Sequence, residues 1–226
     1  MAWAEYLYSS DSERLLERRL APGGESLRDC LLLVQHPPVY TLGTGSTQDH
    51  LKFNIEDSPF EIFRVERGGE VTYHGPGQVV LYPLLDLRCY KQDVHWYMRA
   101  LEEVVIRALA KLGVRGERIA GLTGVWVGGA KVAAIGVKIR RWHTMHGLAL
   151  NVHPDLAHFR HIVPCGIGAR PVGSLEQLVA GGVTARRASA ALLDAFAEVF
   201  DAELQVEEVD GDAAAAVAQA EAAGGG

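Results

Sequence analysis

The chain has 226 residues, 48% of them hydrophobic and 22% charged, with three cysteines and a formal net charge of −6. That length and balance suit one domain with a substantial core. They argue against a small disulfide-stapled scaffold and a globally basic nucleic-acid binder, and no apolar run of about 18 residues marks a transmembrane helix.

The amino terminus, Met1 to Glu5, lacks the basic start and apolar core of a secretory signal. Residues 11–20 place Leu15, Leu16 and Leu20 among charges, the pattern of a short amphipathic helix capped by Ser10 or Asp11. Cys30 to Val34 is a continuous apolar run, read as a buried strand that stops at His36-Pro37-Pro38. Thr41 to Ser46 is a Gly-rich loop that matches neither the P-loop nor a dinucleotide fingerprint. Two short runs rich in β-branched and aromatic residues, Ile62 to Val65 and Val79 to Leu85, read as strands.

Between those strands lies the stretch around which the chain is organised, Arg67-Gly68-Gly69-Glu70-Val71-Thr72-Tyr73-His74-Gly75-Pro76-Gly77-Gln78. A hairpin needs only about two to five turn residues. This stretch is longer and carries polar side chains, so it is expected to be a functional loop on a rigid scaffold.

Asp93 to Leu112 is the clearest helix, with Val94, Tyr97, Leu101, Val104, Val105, Ala108 and Leu112 on one face and Gly113 at the carboxyl cap. Val125 to Val127, Gly128-Gly129 and the segment from Ala130 onward read as a hairpin with a two-residue turn. Simple alternation puts Lys131 on one face with Ala133, Ile135, Val137 and Ile139, and turns Lys138 and Arg140 to the other. A strand-end lysine that reaches water is the alternative. Gly147 to Val152 reads as a further strand. Ser174 to Ala180 and Thr184 to Phe200 read as helices capped by Ser174 and Thr184. Leu204 to Val209 fits an edge strand. The expected organisation is one catalytic domain over 1–210 and an Ala/Gly-rich flexible tail over 211–226.

Three separate features bear on chemistry. Pro164-Cys165-Gly166 sets a thiol on a rigid bend near basic and imidazole side chains, a setting that favours thiolate; a loop cysteine without a role is the alternative. His143-x-x-His146 places its two rings on opposite sides of a strand, and neither it nor His153…His158-x-x-His161 has an acidic third ligand at convincing spacing, so no metal is expected. Residues 131–187 hold eight basic and two acidic side chains inside an acidic chain, a candidate docking surface for something acidic. The odd, widely spaced cysteines favour a reducing cytoplasm.

Four motifs then occur together: Arg67-Gly-Gly-x-Val-Thr-Tyr-His-Gly-Pro-Gly-Gln78, Lys131-Val-Ala-Ala-Ile-Gly136, His146-Gly-Leu-Ala-Leu-Asn151 and Ile162-Val-Pro-Cys-Gly166. In order and spacing they resemble the lipoyl(octanoyl) transferases over roughly residues 25–185. The resemblance implies an α+β fold, mixed and antiparallel sheets flanked by helices, like the catalytic domain of biotin and lipoate protein ligases. It implies transfer of an octanoyl group from octanoyl-acyl carrier protein to a lysine of lipoyl domains or of the glycine-cleavage H protein. It further implies Cys165 as the acyl-thioester nucleophile and Lys131 as its partner. The acyl site it implies comprises Arg67, Gly68, Gly69, Glu70, Val71, Thr72, Tyr73 and His74, then Ala134, Ile135 and Gly136, then Gly147, Leu148 and Ala149. No cofactor, nucleic acid or membrane is implied, and a monomer is expected.

The residues themselves suit that chemistry. A thioester donor is already activated, so a cysteine can take the acyl group without ATP. A lysine among apolar neighbours has a reason to lose its proton more easily and can serve as a base. Small residues at Gly68, Gly69, Ala134, Gly136, Gly147 and Ala149 are expected to leave room for an extended chain, whose burial favours binding by about 0.8 kcal/mol per methylene. Three rivals stand beside this reading: an ATP-dependent ligase of the same fold, a Cys-His hydrolase using His74 or His146 as base, and a non-catalytic lipoyl-domain binder.

Overall fold

The computed structural model describes residues 29–163 and 170–205. The readings for residues 11–20, for the Pro164-Cys165-Gly166 bend and for the tail fall outside them. The expected edge strand from Leu204 lies almost wholly outside too, and Leu204 and its neighbour at 205 form no strand.

Nine strands and three α-helices are described: β1 (Cys30–Val34), β2 (Val39–Leu42), β3 (Glu61–Arg64), β4 (Val71–His74), β5 (Gln78–Leu84), α1 (Val94–Lys111), β6 (Glu117–Ile119), β7 (Leu122–Val127), β8 (Ala130–Arg140), β9 (His143–Asn151), α2 (Leu175–Leu178) and α3 (Ala185–Phe200). An antiparallel sheet of six strands runs β1-β5-β9-β8-β7-β6, and a three-stranded mixed sheet runs β3-β2-β4. The expected α+β class therefore holds.

The main core lies between the six-stranded sheet and helices α1 and α3. Leu101, Val104, Val105, Ala108 and Leu192, Ala195, Phe196 meet Leu81, Leu148, Leu150 and Ala133 there. Full burial of a side chain such as Leu101 contributes about 1.5–3 kcal/mol relative to exposure. Asp93 caps α1 by accepting the Trp96 N–H, and Thr184 caps α3 through Arg187. The first member of the expected α1 face, Val94, instead stays 45% exposed at the helix start.

Two sequence-based expectations need correction. The stretch 67–78 is not one loop, because Val71–His74 forms β4 and pairs with β2. Its Val-Thr-Tyr segment has high strand propensity, and the glycines flank it rather than interrupt it. Likewise Thr41 and Leu42 belong to β2, leaving only 43–46 as loop.

Candidate active site

A cavity of about 490 Å³ is lined by residues from both sheets. Arg67, Gly68, Gly69, Val71, Thr72 and His74 reach it from β4 and the preceding loop. Lys131, Ala134, Ile135 and Gly136 reach it from β8, and Gly147, Leu148 and Ala149 from β9. Two expected site residues lie elsewhere. The Glu70 carboxylate stands 3.3 Å from His50 Nε2. Tyr73 is buried in the aromatic core of the small sheet with Tyr40, Phe60 and Phe159, and burial above all pushes its hydroxyl pKa up to about 12.

Arg67 works as a strut. Its guanidinium donates to Thr41 O (2.9 Å), Thr41 Oγ1 (2.8 Å) and Gly68 O (3.1 Å), a fan of contacts that suits a planar donor. The two Gly-rich loops zip together, with Thr44 N–H donating to Arg67 O and Gly45 N–H to Gly69 O. Gly68 N–H then donates to Val137 O at 3.0 Å and ties this assembly to β8. A Cβ on Gly136 would sit 3.0 Å from Gly68 O and 3.2 Å from Arg67 Cδ, and one on Gly147 would strike Leu81 O. These two glycines thus admit protein, not the acyl chain they were expected to accommodate. The apolar room lies over Ala134, Ala149 and Val80.

Lys131 is placed by a break in register. Between Val125 and Trp126 on β7, the partner on β8 changes from Ala133 to Lys131, so β8 carries one extra residue. Val132 and Ala133 both sink into the main core, while Lys131 lies opposite Trp126 and faces the cavity with Ala134. The alternation expected from sequence, Lys131 with Ala133 and Ile135, is therefore wrong, because a bulge re-aims one side chain without changing the composition. Lys138 consequently shares the cavity-side face with Gly136 and is ion-paired with Glu66, rather than pointing away.

The lysine is only 9% exposed, and its Nζ lies 5.6 Å from the Trp126 ring centroid, within cation–π range. Its backbone is held on the other side by Pro171 O and Gly173 N–H, both at 2.9 Å. Below it, Gly124 adopts φ +117, and a Cβ there would come within 2.6 Å of Lys131 Cε. Gly124 N–H donates to Glu102, a carboxylate only 2% exposed that also binds Arg99 (2.6 Å) and Arg118 (3.0 Å). Paired this way, the buried charge is compensated.

Gln78, Asn151, His36 and Tyr82, which the sequence did not single out, complete the wall with His74 and His146. His74 Nδ1 and Gln78 Oε1 are 2.6 Å apart, so the amide oxygen accepts and Nδ1 carries the proton. Gln78 donates onward to Asn151 Oδ1 (2.9 Å), and Asn151 donates to Gly173 O (3.1 Å). His36 Nε2 meets the Tyr82 hydroxyl at 2.8 Å, and His146 stands edge-on to the Tyr82 ring. The available signal was a pair of polar residues, Gln78 and Asn151, at the ends of apolar strands and opposite each other in register.

Burial lowers the His36 pKa to about 4. Burial, then the neighbouring His36, lowers His74 to about 3 against the opposing hydrogen bond that His74 donates to Gln78. Burial, then Arg67 and Lys138, lowers His146 to about 3. All three are neutral imidazoles at pH 7. Such weak bases are poorly matched to proton abstraction near neutrality, which counts against the Cys-His hydrolase reading.

The chain belongs to the family described as lipoyl protein ligase A/B catalytic domain, which matches residues 5–197. Within it, similar relatives carry one name. An octanoyltransferase of Synechocystis sp. is 60% identical over 76% of this chain and 75% of its own, and one of Nostoc punctiforme is 56% identical over 79% and 77%. A relative of Arabidopsis thaliana described as a chloroplastic octanoyltransferase is 47% identical over 85% of this chain and 72% of its own. Among solved structures, lipoate-protein ligase A bound with ATP has a TM-score of 0.72 at 16% identity, covering 97% of this chain and 94% of that one. A bipartite lipoate protein ligase of Thermoplasma acidophilum has a TM-score of 0.71 at 17% identity, covering 97% and 91%. At that identity the likeness establishes the fold.

Proposed function

We propose that this protein is an octanoyltransferase that forms an acyl-enzyme on Cys165. The carrying observation is a largely apolar cavity with a buried lysine in its wall, in a chain whose high-identity relatives are octanoyltransferases. The donor is octanoyl-acyl carrier protein, and the acceptor is a lysine of lipoyl domains or of the glycine-cleavage H protein. The Cys165 thiolate attacks the donor's thioester carbonyl, the new thioester forms, and the carrier leaves as its thiol. The acceptor amine then attacks that carbonyl, the amide forms, and Cys165 is released as thiolate. Lys131, as the ammonium, holds the Cys165 thiolate by charge in the first step and gives its proton to the departing carrier sulfur; as the free amine it then takes the acceptor amine's proton in the second, which restores the ammonium beside the released thiolate. The substrate-binding wall is Arg67 to His74 with Ala134 to Gly136 and Gly147 to Ala149, Glu70 and Tyr73 supporting it from outside the cavity. The unit acts as a monomer, with one catalytic domain over 1–210, in a reducing compartment such as the cytoplasm. Among the described residues no helix is long and apolar enough to cross a membrane.

The test is intact mass after mixing with octanoyl-carrier protein. An octanoyl adduct should map to Cys165, disappear in Cys165→Ala, and persist in Cys30→Ala and Cys89→Ala, whose thiols do not line the cavity. Near-normal turnover by Cys165→Ala would overturn the proposal.

A further inference from the structure

His146 combines three features that structural histidines rarely share. Its backbone sits at φ +58, a left-handed conformation uncommon outside glycine, although histidine adopts it more readily than most residues. The residue is 6% exposed, lines the cavity, and its buried Nε2 has no hydrogen-bond partner among the described residues. Its ring lies 6.1 Å from the Tyr82 ring, edge to face, and Tyr82 is itself held by His36. An imidazole held in a strained conformation, with an unmatched polar atom, points to a role in what the cavity accepts.

We propose that His146 is the end stop that sets the length of the acyl chain; this rests on the acyl-transfer reading above. The register supplies the spacing. Lys131 Nζ lies 3.4 Å from where a Cβ on Gly124 would be, and Gly124 precedes Val125, the partner of Ala133, so the amine is level with Ala134. His146 pairs with Val137, three residues further along β8. Three strand residues advance about 10 Å. The seven carbon–carbon bonds of an extended octanoyl group, each about 1.5 Å long and zigzagging at tetrahedral angles, advance about 9 Å. The chain's methyl end therefore arrives at the imidazole. A longer chain would have to displace the ring or bury methylenes against an unpaired polar nitrogen, which is unfavourable.

The experiment measures kcat/KM for acyl-enzyme formation with pantetheine thioesters of six, eight, ten and twelve carbons. His146→Gly removes the stop and places at φ +58 the residue that takes that conformation without strain. Its optimum should move two to four carbons beyond that of the unmodified protein, each newly housed methylene contributing roughly four-fold. The twelve-to-eight preference should thus change by more than about ten-fold. His146→Asn, shorter but still polar and tolerant of positive φ, should give an intermediate optimum, and it carries the test if the glycine variant does not fold. A chain-length profile unchanged in both variants overturns the end-stop proposal while leaving acyl transfer standing. Absence of an acyl-enzyme at every chain length in the unmodified protein overturns the acyl-transfer reading itself.

Discussion

Mild acid should destabilise this fold through its buried histidines. His74 and His146 have pKa values near 3 in the folded protein against an ordinary 6.5. Burial dominates at both, and the charges bearing on them, from Arg67 and, at His146, Lys138, are positive; the hydrogen bond to Gln78 at His74 opposes these without overcoming them. A depressed histidine pKa means that the unfolded chain binds protons first as pH falls. The stabilising contribution is therefore complete above about pH 6.5 and is lost progressively as pH drops toward 3. Between pH 7 and pH 5 each group costs about 2 kcal/mol, or about 4 kcal/mol for the pair, from 1.36 kcal/mol per pKa unit. Half-buried His36 adds a smaller amount. Against a typical net stability of about 5–15 kcal/mol, this should shift the urea midpoint clearly. The assay is urea unfolding at pH 7, 6 and 5, with His146→Gly alongside. The variant should lose about 2 kcal/mol less across that range. A midpoint independent of pH, or equal slopes in both proteins, would refute the assignment of these imidazoles as buried and neutral.

Other outcomes follow from the site and the surface. Lys131→Arg keeps the positive charge over Trp126 but cannot give up its proton near neutrality. The acyl-enzyme should still form, while its transfer to the acceptor lysine falls by about 10²-fold or more, measured by single-turnover kinetics of the two half-reactions. Equal losses in both steps would remove the division of roles. Arg140 and Arg141 are exposed at the β8–β9 turn, where Arg141 and Trp142 both hold positive φ without glycine, whereas Lys138 is engaged with Glu66. Reversing both arginines to glutamate should lower kcat/KM for octanoyl-carrier protein several-fold at low salt, hardly affect a small octanoyl thioester, and matter less as salt rises. Loss of activity with both donors would show that the turn shapes the active site rather than docking the carrier.

Periodicity made the large elements of this fold legible. The α1 helix and the Gly128-Gly129 hairpin bury repeating apolar patterns and carry ordinary caps or turns, and the continuous apolar run from Cys30 does form a strand, though at the end of the sheet with only Leu32 and Val34 buried. The orientation of Lys131 was not legible. The segment Lys131-Val-Ala-Ala-Ile-Gly136 has too little contrast between neighbours to reveal an extra residue, so alternation returned a regular strand. What sets the bulge lies on other elements: Glu102 of α1 anchors Gly124, the Lys131 stem crosses that glycine, and the Pro171–Gly173 segment holds the lysine backbone from the far side. The same holds for His146, whose left-handed backbone sits within an unbroken β8–β9 register and whose ring meets Tyr82 of β5, neither of which its neighbours in sequence reveal. A motif can name a side chain for chemistry, but its aim depends on partners far along the chain. In this protein two departures from regular strand geometry, the bulge at Lys131 and the positive φ of His146, lie in the cavity wall. Local rules are expected to yield at functional sites, and these two positions are therefore the ones where substitution should alter reaction and selectivity before it alters the fold.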